Sequence, residues 1–305
     1  MAWRGVHLTR PARLSLADRQ MVVAQDGEDL RLALEDIAWV VLDTPQATLT
    51  TALISACMEA GVVLVTTDAR HTPSGMTLPF HRHHRQASVA ALQVAASAPL
   101  RKRLWQRIAV AKIRNQAAAL TLCGGVEAPL SAMAERVGSG DPANVEAQAA
   151  RLYWSRLFTG FVREDGADRR NALLNYGYAV LRAGVARALV AAGLLPAFGL
   201  HHASATNAFN LADDLLEPFR PFADMLAWRL SDSGRRRDGE PDVQDRRALA
   251  AVLLDEALVD GERVTLLVAA ERAAESLVRA LEGRSAALLR LPVPAPPRAA
   301  DAEDG

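Results

Sequence analysis

At 305 residues, half of them hydrophobic, the chain is long enough for two domains and can bury a sizeable core unaided. Cys57 and Cys123 lie in apolar stretches without the paired spacing of a disulfide framework or a zinc site; with no signal-like start and no uninterrupted run of about 20 apolar residues, secretion and membrane insertion are not expected and a reducing cytoplasm is. The formal charge of zero conceals a segregation: residues 1–68 hold 5 Lys+Arg against 9 Asp+Glu, residues 69–126 hold 9 against 0, and residues 127–305 hold 21 against 26.

In chain order, short apolar runs at 13–17, 21–24, 30–33, 37–42 and 62–66 read as strands. Asp26-Gly27 supplies a hairpin turn between the second and third, because glycine accepts the positive φ such turns need. Leu49, Leu53, Ala56, Cys57 and Ala60 have the spacing of one helix packed on that sheet. Residues 1–68 are therefore expected to form a small, mainly β domain, followed by a linker over 69–84 that contains Pro73, Gly75 and Pro79. From 85 to 290 the apolar residues recur every three or four positions without a convincing strand, which predicts a larger all-α domain. Residues 291–305, rich in proline and acid, read as a disordered tail. The fold class expected is thus α+β.

The acid-free stretch between 69 and 126 carries Arg70, Arg82, Arg85, Arg101, Lys102, Arg103, Arg107, Lys112 and Arg114 together with His71, His81, His83 and His84. That composition faces a polyanion, the alternative being a basic surface paired with acidic faces elsewhere in the fold. The cluster from His81 to His84 has metal-like spacing but no nearby acid, so phosphate contact is the better reading.

Further on, Asp141-Pro142 marks a helix start, after which Glu146 falls on one face with Ala149, Ala150, Tyr153 and Leu157. A carboxylate on an apolar stripe must be protonated, paired or bound to a metal, and the alternative to a metal is a buried Glu–Arg pair. A second helix is expected to open with Asn210 as its N-cap. Its apolar side holds Leu211, Ala212, Leu215, Leu216, Phe219 and Phe222, and Asp213, Asp214 and Glu217 occupy the other. Three like charges on a narrow arc outline a hard-cation site, or else a solvated acidic face near a helix start. His201 and His202, in a loop just upstream, add imidazoles for ligation or proton transfer.

These segments together resemble the integrase of CRISPR spacer acquisition, CRISPR-associated protein one, particularly the short form found beside type II effectors. The resemblance is carried by Asn175-Tyr-Gly-Tyr178, Gly193-Leu-Leu-Pro196, Gly199-Leu-His-His202 and the run from Phe209 to Pro221. It is carried also by Asn144-Val-Glu-Ala-Gln-Ala-Ala150 followed by Tyr153-Trp154, although Ala147 stands where the family commonly has glycine. The resemblance implies that Glu146, His202 and Glu217 bind Mg²⁺ or Mn²⁺ and are catalytic, with Asp214, Asp213 and His201 close behind them. His202 is preferred to His201 because the family's histidine stands three residues after the glycine, here Gly199. It further implies a homodimer that flanks a dimer of CRISPR-associated protein two and acts on double-stranded DNA.

In the implied reaction, a captured DNA fragment is inserted into a CRISPR repeat by attack of its 3′ hydroxyl on a phosphodiester. Arg82, Arg85, Arg101, Arg103, Arg107 and Arg114 are candidates for DNA-backbone contacts. Two other readings compete. One is a DNA-binding scaffold whose acidic cluster is structural. The other is an all-α magnesium-dependent isoprenoid synthase, whose aspartate-rich motif Asp213-Asp-Leu-Leu-Glu217 resembles.

Overall fold

The computed structural model describes residues 2–80, 82–126, 129–232 and 239–296. The β-rich beginning comprises β1 (Arg4–Leu8), β2 (Ala12–Ala17), β3 (Gln20–Gln25), β4 (Glu28–Ala33), β5 (Ile37–Leu42), β6 (Ala47–Leu49), helix α1 (Thr51–Ala60), β7 (Val63–Thr67) and β8 (Pro73–Met76). Asp26 and Gly27, both at positive φ, close the β3–β4 hairpin as a two-residue loop. Two four-stranded sheets result, ordered β1-β5-β7-β8 and β4-β3-β2-β6.

Every residue of β5 is buried, as expected of a parallel strand covered on both faces. Ile37, Val40 and Leu42 pack with Leu14, Met21 and Leu53 of the second sheet and α1. Ala38, Trp39 and Val41 enter the same core as the helices that follow. Helices thus cover one face of the first sheet, and the Trp39 indole N–H donates to the carbonyl of Ala250 at 2.9 Å.

The helical part contains α2 (Gln86–Val94), α3 (Ala98–Leu122), α4 (Leu130–Glu135), α5 (Val145–Leu157), α6 (Arg169–Ala191), α7 (Asn210–Leu216), α8 (Arg220–Asp232) and α9 (Val243–Ala250), then β9 (Glu256–Val259), β10 (Glu262–Thr265), α10 (Leu266–Glu282) and β11 (Val293–Pro294). Helix α6 is buried along most of its length and packs against α7, α8, α9 and α10. Gly177 permits its approach to α8, since a Cβ there would lie 2.9 Å from that of Ala223. Among the described residues no helix is long and apolar enough to cross a membrane.

The order of a mainly-β region and then a helical region is as the sequence implies, with differences at short elements. β1 and β6 escape periodicity because they are short and only partly buried. β8 lies within the segment read as a linker; at the edge of its sheet, Pro73 has no ladder hydrogen bond to forfeit. The three-stranded sheet β10-β9-β11 is unexpected in a region read as all-α. Its strands of four residues or fewer are too short for alternation to register, although Asp260-Gly261, at positive φ, repeats the hairpin signal of Asp26-Gly27. Within the segment read as a disordered tail, Val293 and Pro294 pair with β9; residues 297–305, like His81, lie outside the described residues.

Candidate functional site

The site gathers where α3, α5, α7, the first turns of α8 and the loop between α6 and α7 meet. Asp141 accepts the backbone N–H groups of Val145 and Glu146, each at 2.9 Å, and so anchors the start of α5, but the helix opens later than Asp141-Pro142 implies, at Val145 with Asn144 in the cap position at positive φ. Ala149, Tyr153 and Leu157 are buried on the face that carries Glu146. The charge that compensates Glu146 comes from α3: the Lys112 ammonium contacts Glu146 Oε1 and also Glu217 Oε2. A basic side chain therefore bridges two carboxylates separated by 71 positions in the chain.

Glu217 follows α7 in a short 3-10 turn with Pro218 and Phe219. Burial would raise its pKa, but the charges of Lys112 and Arg220 outweigh that and hold it down to about 2. Arg220 Nε donates to Glu217 Oε1 at 2.9 Å. Lys112 is subject to the same opposition. Burial disfavours its ammonium, while Glu217 and Glu146 favour it more strongly and keep its pKa above the ordinary lysine value.

The three acids of the α7 segment do not share one space. Asp213 turns to α6, where Arg182 Nε lies at 2.8 Å, and it also accepts from the Asn207 amide at 2.7 Å. Asp214, fully buried, accepts backbone N–H groups of Leu200 at 2.5 Å, His201 at 3.0 Å and His202 at 3.1 Å, and pairs with His202 Nδ1 at 2.7 Å. The helical rotation of 100° per residue separates Asp213 from Asp214, and the 3-10 turn carries Glu217 toward α3. The crowding of like charges expected from sequence is thus relieved by a different basic partner for each acid. An Asp213 committed to Arg182 also does not fit the aspartate-rich reading of an isoprenoid synthase. Among the described residues no three His, Cys, Asp or Glu side chains stand converged as a ready ligand cluster.

The loop bearing His202 is fixed from several sides. Asn210, expected as an N-cap, is instead the first residue of α7, and its amide donates back to the carbonyls of Ala197, Ser204 and Asn207. Gln93 of α2 donates to the carbonyls of Leu195 and Phe198. Gly199 is required where the loop folds over Asp214: a Cβ there would lie 2.2 Å from the His202 carbonyl oxygen and 2.8 Å from Asp214 Oδ2. Trp105 of α3 stacks on His201 at 4.1 Å and meets His202 edge-on at 5.8 Å. His201 is thereby committed to packing. The hydrogen bond to Asp214 raises the His202 pKa against the opposing effect of burial, and Glu217 adds to the rise, so His202 lies within that carboxylate's field. With Nδ1 held by Asp214, Nε2 is left for a ligand or a proton. The ring borders a cleft of about 370 Å³ lined also by Arg101, Phe198 and Val94.

The arginines singled out for DNA divide into two groups. Arg82 donates to the last carbonyls of α1 at Glu59 and Ala60, Arg85 pairs with Glu282 at 3.0 Å, Arg107 donates to the Leu289 carbonyl at 3.1 Å, and Arg114 pairs with Glu135 at 2.5 Å. Arg101 and Arg103 are exposed on the first turns of α3.

Sequence reasoning did not assign Lys112 and Arg220 to the site, nor Asp224 of α8, which accepts the hydroxyls of Tyr153 and Tyr178. A signal for Lys112 was present, since it lies four residues after Ile108 on the buried stripe of α3. Burial pushes the Asp224 carboxyl up to about 7 despite those hydrogen bonds and the nearby charges of Arg220 and Lys112.

Residues 6–259 match the family described as CRISPR associated protein Cas1. The chain is 40% identical to the CRISPR-associated endonuclease Cas1 of Neisseria meningitidis serogroup C over 96% of either sequence. Among solved structures it is similar to a casposase bound to integration product, with a TM-score of 0.77 and 18% identity over 93% of this chain and 92% of that one. It is similar also to a chain of a Cas6-RT-Cas1–Cas2 complex, with a TM-score of 0.73 and 17% identity over 94% of this chain and 36% of that one. By family match and sequence identity, this chain belongs to the Cas1 family of CRISPR-associated endonucleases and integrases.

Proposed function

We propose that the chain is a divalent-cation-dependent DNA integrase that joins short DNA fragments to a CRISPR repeat by transesterification, with Glu146, Glu217 and His202 as its metal-binding and catalytic residues. The observation that carries this reading is the position of the Lys112 ammonium. Two carboxylates from distant parts of the chain close on one cation, and the field of one of them, Glu217, reaches an imidazole whose Nδ1 is already occupied. Carboxylate oxygens with one imidazole form a donor set suited to Mg²⁺ or Mn²⁺, so the residues fit such an ion.

Bound there, the ion supplies Lewis acidity and a template for the attacking and leaving oxygens. The protein's own groups do the rest. Arg220 fixes the Glu217 carboxylate, Asp214 keeps the His202 ring oriented, and the exposed Arg101 and Arg103 offer charge to the phosphate backbone. Exchange of one phosphodiester for another requires alignment and charge stabilisation rather than an external energy source. The partners in this reading are double-stranded DNA, a second copy of the chain and a dimer of CRISPR-associated protein two, and its setting is the cytoplasm. The support for DNA and for the second protein is the resemblance to a casposase bound to integration product and to a Cas6-RT-Cas1–Cas2 complex; the second copy of the chain comes from the family resemblance alone.

The test is strand transfer into a supercoiled plasmid bearing a repeat. Glu217→Ala is expected to abolish joining while leaving DNA binding largely intact. A variant that joins DNA as well as the parent sinks the assignment.

A further inference from the structure

Lys112 is only 9% exposed, and its ammonium lies between Glu146 and Glu217, where a cation shared by those carboxylates belongs. A divalent ion cannot enter while the ammonium stays, because the two charges repel strongly at contact distance in a partly desolvated site. One turn along α3 is Gln116, 2% exposed, whose Oε1 is buried without a hydrogen-bond partner. An acceptor left in that condition is destabilising, because it has lost water without gaining a donor. Positions i and i+4 share a helix face, so Gln116 is within reach of a Lys112 side chain that changes rotamer. Both residues line a cavity of about 120 Å³ together with Tyr178, Arg163, Arg220 and Asp224. That is room enough for an ammonium, with the Gln116 Oε1, the Tyr178 hydroxyl and the Asp224 carboxyl among its lining groups.

We propose that Lys112 is a two-position cation: it is the counter-ion of Glu146 and Glu217 while they hold no metal, and it swings to Gln116 Oε1 in the adjoining cavity when a divalent ion takes the carboxylates. Lys112 thereby competes with the metal and sets its affinity. Without the lysine, Glu146 and Glu217 would face each other with Arg220 on Glu217 alone, so Lys112 also steadies the metal-free site. The inference rests on the metal reading of Glu146 and Glu217.

The test is Mn²⁺ titration of the full chain without DNA, following the free-ion signal by electron paramagnetic resonance. Lys112→Met is expected to bind Mn²⁺ about tenfold more tightly than the parent. Gln116→Met is expected to weaken binding severalfold in the parent and to have no effect beside Lys112→Met, the signature of a coupled pair in a double-mutant cycle. Where Lys112→Met does not fold, Lys112→Gln removes the charge but retains hydrogen bonding, and the same tightening is expected. If the parent binds Mn²⁺ and the Lys112 variants bind it no better, competition is overturned. If Gln116→Met acts equally in both backgrounds, the second lysine position is overturned. If neither parent nor any variant binds Mn²⁺, the metal reading itself falls and the swing with it.

Discussion

Four donors converge on Asp214, the backbone N–H groups of Leu200, His201 and His202 and the His202 ring nitrogen Nδ1, and the residue has no solvent exposure. One carboxylate therefore shapes the loop and selects which imidazole nitrogen faces outward. Asp214→Asn keeps an oxygen for the backbone donors but loses the charge. Loss of such an outer partner of a ligating histidine typically reduces metal affinity about 10–100-fold, and a reduction of that size is expected in Mn²⁺ titration. The same substitution is expected to lower the His202 pKa, read from the pH dependence of its ring proton resonance, because Asp214 is the main cause of the rise. Unchanged affinity together with an unchanged resonance would show that Asp214 only holds the loop. The family resemblance implied that Asp214 lies close to the site, but its neighbours across the loop could not be read from the sequence.

Among the elements, α8 is bound to α5 and α6 through Asp224, which accepts from Tyr153 of one and Tyr178 of the other. Its carboxyl, raised from the ordinary 3.8 to about 7, and that of Glu217, lowered from 4.5 to about 2, act on stability with opposite signs. A raised folded-state pKa means that the folded protein holds a proton the unfolded chain releases, so the Asp224 contribution is complete below pH 3.8 and is lost as the pH rises through about 7. A lowered one means that the Glu217 contribution is present above pH 4.5 and is lost as the pH falls toward 2. Thermal midpoints measured across pH should therefore decline on both sides. In Asp224→Asn the alkaline decline should flatten and the acid one remain; an unaltered alkaline slope would assign it to other groups. The periodicity of Tyr153 revealed a buried face, whereas the partner of its hydroxyl lies 71 residues away.

At the scale of the whole molecule, the β-rich and helical regions are joined by buried polar contacts as well as by a shared core. Arg246 of α9 donates to Asp43 Oδ2 at 2.7 Å, and the same carboxylate takes His7 at 2.9 Å and His71 at 2.7 Å. Burial pushes the Asp43 pKa up, but its hydrogen bonds with His7, Arg246 and His71 prevail and leave it below the usual carboxylate range. Removal of one partner of a buried pair typically costs about 3–5 kcal/mol because the other charge is stranded. Arg246→Ala is expected to lower the calorimetric midpoint correspondingly, with the two regions still melting in one transition. A shift within error would mean that water or a histidine compensates Asp43 instead.

What the sequence by itself determined is local and periodic: the Asp26-Gly27 hairpin, the apolar run of β5, the stripe bearing Glu146, and the order of a β-rich region before a helical one. Each depends on residues within a few positions of one another, so composition and spacing suffice. Only the tertiary structure decided which charges meet. Lys112 lies 34 and 105 positions from the two acids it bridges, and Asp213, Asp214 and Glu217, close together in sequence, were sent to three different partners by the rotation of the helix and the packing of α3, α6 and the His202 loop around it. Electrostatic partnership depends on distance in space, and a linear pattern does not encode that distance.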